Sequence, residues 1–236
     1  MQNIIENLAA VHEQIAQDAA SCGRKATEIT LLCVSKTKSE DMIKSAYDQG
    51  ERHFGESYVQ EAVLKIESLK AQGFNDIIWH FIGPVQSNKT KHIAAHFDVV
   101  ESVDRVKILE RLNEQRPDSL PKLKVMLQVN ISHEEQKQGC EVEQLDALLE
   151  CASLLTKIEV IGLMGVARID ASAQELSDSF ALLYKLRERY QSRYPSLQEL
   201  SMGMSADMNS AIAQGSTEVR IGSAIFGERD YSHKAK

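Results

Sequence analysis

The chain repeats one pattern along its length: a short apolar run, a longer amphipathic stretch, then another apolar run. The apolar runs fall at residues 29–34, 77–82, 97–100, 125–131 and 158–164, with weaker ones at 200–202 and 219–226 and a very short one at 52–54. Several are β-branched and nearly continuous, as strands buried on both faces of a parallel sheet should be. The stretches between them carry helical periodicity. One starts after Ser39, a residue suited to capping a helix, has Glu40 and Asp41 in its first turn and runs to Tyr47. Others cover residues 57–71, 104–115, 141–155 and 173–194, the last with Phe180, Leu183, Leu186 and Tyr190 on one face. Gly50, Gly73 and Gly215 stand where helices should stop. An amphipathic helix over residues 1–20 comes first, followed by eight strand-to-helix steps. Eight such units without a break in composition predict an α/β fold: a single (β/α)8 TIM barrel over residues 1–236 with an extra N-terminal helix. A doubly wound open sheet is the competing fold, because periodicity alone does not separate the two.

Length and charge narrow the function. At 236 residues and 43% hydrophobic content, the chain can bury one sizeable core. A formal net charge of −7 argues against a general nucleic-acid binder, which needs a basic surface to neutralise phosphates. An anionic small molecule is still compatible if a pocket supplies positive charge locally. The N-terminal stretch has neither the basic region nor the apolar run of a signal peptide, and no segment approaches the ~18 apolar residues of a membrane span. Cys22, Cys33, Cys140 and Cys151 are scattered, without a C-x-x-C pair or a histidine at ligand spacing. The expectation is reduced thiols in a cytoplasmic protein with no metal site.

In a barrel of this kind, functional groups collect at the C-terminal ends of the strands. That rule selects Lys36 and Lys38 after the first run, Gly55 and Glu56 after the second, and residues 83–89 after the third. It also selects Met204 and Ser205 after the seventh and residues 220–223 at the eighth. Lys36 ends a run that otherwise reads as core. A lysine placed there either snorkels to solvent or performs chemistry, and a desolvated, neutral amine can condense with an aldehyde. Spacing alone leaves these two readings about even. The phosphate side is firmer. Ser205 should open a helix and offer its hydroxyl, Gly222 permits close backbone approach, and Ser223 can donate. Each has a bland alternative: Ser205 a plain cap, Gly222 a bulge, Arg220 half of an ion pair. Together, on adjacent strand ends, they favour a phosphorylated ligand.

Three longer stretches now bear on identity: 34–38 (Val-Ser-Lys-Thr-Lys), 54–61 (Phe-Gly-Glu-Ser-Tyr-Val-Gln-Glu) and 79–89 (Trp-His-Phe-Ile-Gly-Pro-Val-Gln-Ser-Asn-Lys). With residues 201–208 and 219–227, they resemble the YggS/PROSC family of pyridoxal-phosphate homeostasis proteins over essentially the whole chain. The resemblance implies a fold like the N-terminal barrel of alanine racemase. It implies that Lys36 carries pyridoxal 5′-phosphate (PLP) as a Schiff base and that Ser205, Gly222 and Ser223 hold the phosphate. Arg220 would face the pyridine nitrogen, with Met204 also at the cofactor. An arginine there should keep that nitrogen unprotonated and weaken the electron sink used in carbanion chemistry. Storage of PLP and delivery to apo-enzymes, without turnover, is therefore the expected function of a monomer. A PLP-dependent amino-acid racemase is the alternative, and a barrel enzyme for another phosphorylated metabolite, with Lys36 as an aldolase-type base, is a third reading. Racemase-like enzymes bring an acid/base tyrosine from a second domain, and nothing follows residue 236 here, which favours the carrier.

Two positions depart from the family's usual pattern. Ser57 replaces an asparagine, putting any contact from that side chain to the cofactor in doubt, and Arg168 stands in a segment that more often lacks it. Arg168 is expected to be solvated. His80 reads as a hydrogen-bonded core or rim histidine rather than a general base. Lys89 reads as an exposed loop residue, Lys38 as either an entry-route amine or a surface charge, and Lys137 as a weak candidate for a second, transient aldehyde acceptor.

Overall fold

The computed structural model describes residues 3–132, 134 and 138–228. Lys137 and the tail from residue 229 onward lie outside them. Eight strands run parallel and close on themselves in sequence order: β1 (Thr30–Val34), β2 (His53–Glu56), β3 (Ile78–Phe81), β4 (Val99–Val103), β5 (Leu123–Val129), β6 (Ile158–Gly165), β7 (Glu199–Ser201) and β8 (Glu218–Ile221). The closing pair is β1 with β8, in register Leu31 to Val219 and Leu32 to Arg220. Closure rules out the open-sheet alternative and leaves no exposed edge. The helices are α1 (Ile4–Ser21), α2 (Glu40–Tyr47), α3 (Val59–Ala71), α4 (Thr90–His96), α5 (Val106–Gln115), α6 (Leu145–Ser153), α7 (Ala173–Gln191), α8 (Met208–Ala213) and α9 (Ser223–Phe226). Among the described residues, no helix is long and apolar enough to cross a membrane.

Strand side chains alternate between two environments. One set, with Leu31, Cys33, Phe54, Trp79, Phe81, Leu127 and Val219, faces the helices and forms the main core with Phe180 and Phe226. The other set points into the barrel. There Val99, Met126 and Met164 make a small separate apolar cluster, and His80, Glu101, Glu218 and Arg220 are also buried. The near-continuous apolar look of the sequence therefore conceals a partly polar interior. All four cysteines are free thiols. Burial pushes the Cys33 thiol well above its usual range and the Cys140 thiol up to about 12, so neither is poised to react.

Local signals explain most boundaries. Ser39 caps α2, accepting from the Met42 N–H at 3.4 Å. Ser172 and Glu175 form a reciprocal capping box on α7. Gly50, Gly73 and Gly215 end their helices at φ of 101°, 95° and 93°, values that favour glycine. α1 buries Ile4, Leu8, Val11 and Ile15 and packs against α8 and α9.

Two expectations need correction. The helix expected near Ser205 starts at Met208, because the Asp207 carboxylate accepts from the Met204 N–H at 2.5 Å and locks residues 204–207 in a turn. The apolar run 219–226 is not one strand, since it stops at Ile221 and turns at Gly222 into α9. α4 supplies the helix that the count of eight strand-to-helix steps requires after the third strand, at bounds the sequence pattern did not mark.

Candidate functional site

At the C-terminal mouth of the barrel lies a cavity of about 420 Å³. Lys36, Met204, Ser205, Arg220, Gly222 and Ser223 all line it, and Val34, Ile82, Met164 and Val166 give it apolar walls. The six residues singled out in the sequence, separated by up to 187 positions, thus meet at one place because β1 closes against β8.

Lys36 sits half-buried two residues beyond the end of β1, and its neighbours on both sides are clamped. Ser35 is fully buried; its N–H donates to the Gly55 carbonyl and its hydroxyl donates to Glu56 Oε1 at 2.7 Å. Lys65 of α3 donates to the Ser35 carbonyl (3.0 Å), to Glu56 (3.0 Å) and to Glu61 (2.6 Å). The Thr37 N–H donates to the same Glu61 oxygen at 2.7 Å. Thr37 holds a φ of 65°, a conformation that is costly for a β-branched residue and that persists only where its surroundings over-determine it. The Glu56–Lys65–Glu61 group supplies that constraint. Lys38, read from the sequence as an entry-route amine or a surface charge, also lines the cavity, and its ammonium donates to the carbonyls of Gly227 and Glu228 at 2.9 and 2.7 Å, tying the β1 loop to the segment after α9.

Opposite Lys36, Ser205 is exposed on the turn after β7, and Ser223 opens α9, where the Ile225 and Phe226 N–H groups donate to the Gly222 carbonyl at 3.0 and 2.9 Å. Asp207, not Ser205, occupies the cap position of α8. Gly222 lies against β1, where an added methyl would press to within 3.3 Å of Val34. Arg220 is buried on β8. Its guanidinium donates to the Ser201 carbonyl (2.7 Å), the Ser201 hydroxyl (2.8 Å) and the Gly165 carbonyl (2.9 Å), so three anchors on β6 and β7 hold it at the cavity floor.

The other candidates fall elsewhere. Ser57 does not line the cavity; its backbone lies so close to Gly83 that any side chain there would collide. Arg168 is exposed and pairs with Glu175 at 3.2 Å. Lys89 precedes α4, away from the cavity. His80 is buried and hydrogen-bonded, to His53 at 2.9 Å and to Glu101 at 2.7 Å.

The sequence reading missed Glu101, Ser201, His53 and Glu218, which lie beneath the cavity inside the barrel. A charged residue at an inward position of an otherwise apolar strand was the available signal. Burial, together with the Glu101 charge, pushes Glu218 up to about 8. Burial also opposes ionisation of Glu101, but its hydrogen bond and charge interaction with His80 outweigh this and lower its pKa. His53, His80 and Glu218 each bring a possible ligand atom within 4.8 Å of the others, a grouping that the sequence, read as metal-free, gave no hint of.

The donor set consists of an amine, a fixed guanidinium and two hydroxyls around apolar walls. It fits an aromatic aldehyde with an anionic tail, within the size range of small-molecule sites. Comparison with known proteins agrees. The family profile for the alanine racemase N-terminal domain matches residues 7–230. The chain is similar to the pyridoxal phosphate homeostasis protein of Escherichia coli K12, 46% identical over 99% of this chain and 100% of that one. It is likewise similar to that of Pseudomonas aeruginosa, 46% identical over the whole of both. Among solved structures, PipY of Synechococcus elongatus with PLP bound superposes with a TM-score of 0.82 at 34% identity, covering 95% of this chain and 100% of that one. Alanine racemase of Clostridium difficile shares the fold alone, at 14% identity and a TM-score of 0.69, over 97% of this chain and 57% of that one. By full-length likeness and by its closed barrel, this chain belongs to the family of pyridoxal phosphate homeostasis proteins, built on the alanine racemase N-terminal domain.

Proposed function

We propose that this chain binds PLP covalently through Lys36 and serves in PLP homeostasis, storing the cofactor and releasing it to apo-enzymes without turnover of its own. The observation that carries this reading is the convergence of Lys36, Arg220, Ser205 and Ser223 on one apolar-walled cavity. The solved PLP complex of PipY and the names of the full-length relatives support it. PLP supplies a reactive aldehyde, an electron-withdrawing ring and a phosphate.

The residues divide the work. Lys36 Nζ provides the amine for the aldehyde carbon. Ser205 and Ser223, with the backbone at Gly222, would donate to the phosphate, and the absent side chain at Gly222 lets that backbone sit close against Val34 of β1. Arg220 would face the ring nitrogen; a guanidinium can only donate a hydrogen bond to that nitrogen's lone pair and keeps its own protons, so the ring would stay neutral, a weak electron sink that favours holding over turnover. Val34, Ile82 and Met164 line the cavity and would give the ring an apolar seat that keeps bulk water from the amine. In this reading the whole chain acts as one domain, as a cytoplasmic monomer.

Absorption spectroscopy of the purified protein with PLP, before and after borohydride, tests the proposal. The expected result is an imine band that reduction abolishes, with the reduced adduct mapped to Lys36. An adduct mapped elsewhere, or a protein that takes up no PLP, overturns it. Incubation of the loaded protein with amino acids in deuterium oxide tests the absence of turnover: exchange at Cα would establish a racemase-type activity instead.

A further inference from the structure

Beneath the cavity, five side chains form a continuous hydrogen-bonded line through the barrel. His53, at the start of β2, meets His80 of β3 at 2.9 Å between Nδ1 and Nε2. The other His80 nitrogen meets Glu101 Oε1 of β4 at 2.7 Å. Ser201 of β7 donates to Glu101 Oε2 at 2.6 Å and accepts from Arg220 Nη1 at 2.8 Å. Four of the five residues are buried; His53, at the N-terminal end of its strand, is half-exposed. Glu218 flanks the line, with one carboxyl oxygen 3.6 Å from His80 and the other buried without a hydrogen-bond partner among the described residues.

Burying several ionisable groups is unfavourable unless each is paired, and an apolar interior of equal volume would serve stability as well. The line ends at a guanidinium on the cavity wall, which gives it a functional direction. Glu101 uses both oxygens within it, one on His80 and one on Ser201, so its position fixes Ser201 and thereby Arg220.

We infer that Glu101 and Ser201 are positioning residues for the cavity, holding Arg220 at its floor and connecting it through His80 and His53 to the opposite mouth of the barrel. This inference deepens the PLP reading and rests on it only for its consequence at the cofactor. Around His80 stand His53 from β2, Glu101 from β4, Asp98 just before β4 and Glu218 from β8; Lys124 of β5 acts on His53. Burial disfavours the charged form of His80, but Glu218 and Glu101 outweigh it and raise its pKa, whereas burial and His80 together pull His53 down to about 4. The charged form of the line is therefore centred on His80, Glu101 and Arg220.

Glu101→Gln removes the anion that balances Arg220. In the PLP-loaded protein, the midpoint of the spectral pH titration should fall by about one unit, the low end of what one nearby opposite charge produces. Ser201→Ala should shift it in the same direction by less, the double variant should go no further than Glu101→Gln alone, and Glu101→Asp, which keeps the charge, should restore the parent midpoint. A loss of stability alone would leave the midpoint where it was. A loaded Glu101→Gln or Ser201→Ala protein that titrates like the parent overturns the inference. A second measurement needs no PLP: in the free protein, Ser201→Ala should move the His80 imidazole titration followed by NMR, and an unmoved signal refutes the line whatever the cavity binds. Failure of the parent to take up PLP would count against the proposed function and leave that second measurement decisive for the line.

Discussion

The two mouths of the barrel differ in a way that volume does not capture. The N-terminal mouth carries the larger depression, about 790 Å³, lined by Arg24, Glu28, Thr30, Glu199 and Thr217 among others, against about 420 Å³ at the C-terminal mouth. At the N-terminal mouth the polar groups hold the scaffold together. Arg24 donates to the Ile212 and Ser216 carbonyls at 3.0 and 2.7 Å and pairs with Glu28, while Thr217 donates to Glu199 at 2.6 Å. At the C-terminal mouth an amine, a guanidinium and two hydroxyls converge from β8 and the segments after β1, β7 and β8 around apolar walls, and a separate set of buried groups holds them in place. Size marks where strands splay; a binding site is marked by chemically different groups converging from several strands.

Substitutions at the two mouths can break this contrast or sharpen it. The largest effect is expected from Lys36→Ala, which should abolish the imine band and the borohydride adduct while leaving far-UV circular dichroism and Tm close to the parent's. Next comes the phosphate grip. Ser205→Ala and Ser223→Ala each remove a hydrogen bond to a charged group, about 1.5–3 kcal/mol, so each should weaken PLP binding roughly 10- to 100-fold in equilibrium titrations. Unchanged affinity in both would move the phosphate elsewhere.

Glu61→Gln takes one charge from the clamp behind Lys36. Glu61 is one-third exposed, so about 1 kcal/mol of stability should go, and release of PLP should quicken several-fold in stopped-flow exchange. Glu218→Gln, under the cavity floor, tests the sign of a buried titration. Glu218 rises from an ordinary 4.5 to about 8 in the folded protein, so below pH 4.5 it is neutral in both states and exacts no penalty. Between about 4.5 and 8 the unfolded chain ionises first and stability falls as pH rises, levelling off above 8. The Gln variant lacks this term. Its Tm relative to the parent should climb across that window, and a constant difference from pH 5 to 9 would show Glu218 to be ionised throughout. The smallest effect at the cavity is expected from Arg24→Ala at the other mouth. Losing two carbonyl contacts should cost about 2 kcal/mol, or roughly 4–8 °C in Tm, with PLP uptake unchanged.

Particular residues show how far the sequence could be read. Ser39 as a cap and Gly50, Gly73 and Gly215 as stops were legible because each acts on its own few neighbours. Lys36 and Gly222 were legible because a charge and a glycine interrupt apolar runs. The start of α8 was not, because the Asp207 carboxylate competes for the Met204 N–H and only the folded turn reveals it. His80 was legible as a hydrogen-bonded core histidine, but its partners were not, because His53 and Glu101 reach it from other strands only once the barrel closes.

Sequence by itself determined the alternation of strands and helices, the family likeness and the kinds of group available at the strand ends, because these rest on local periodicity and residue chemistry. Only the tertiary structure decided that Lys36 and Arg220 share a cavity, that Glu56, Glu61 and Lys65 brace the strained Thr37, and that Glu101 reaches both His80 and Ser201. Most of those relations join residues from 21 to 184 positions apart. They exist because the pairing of β1 with β8 closes the sheet and brings the inward side chains of all eight strands within reach of one another.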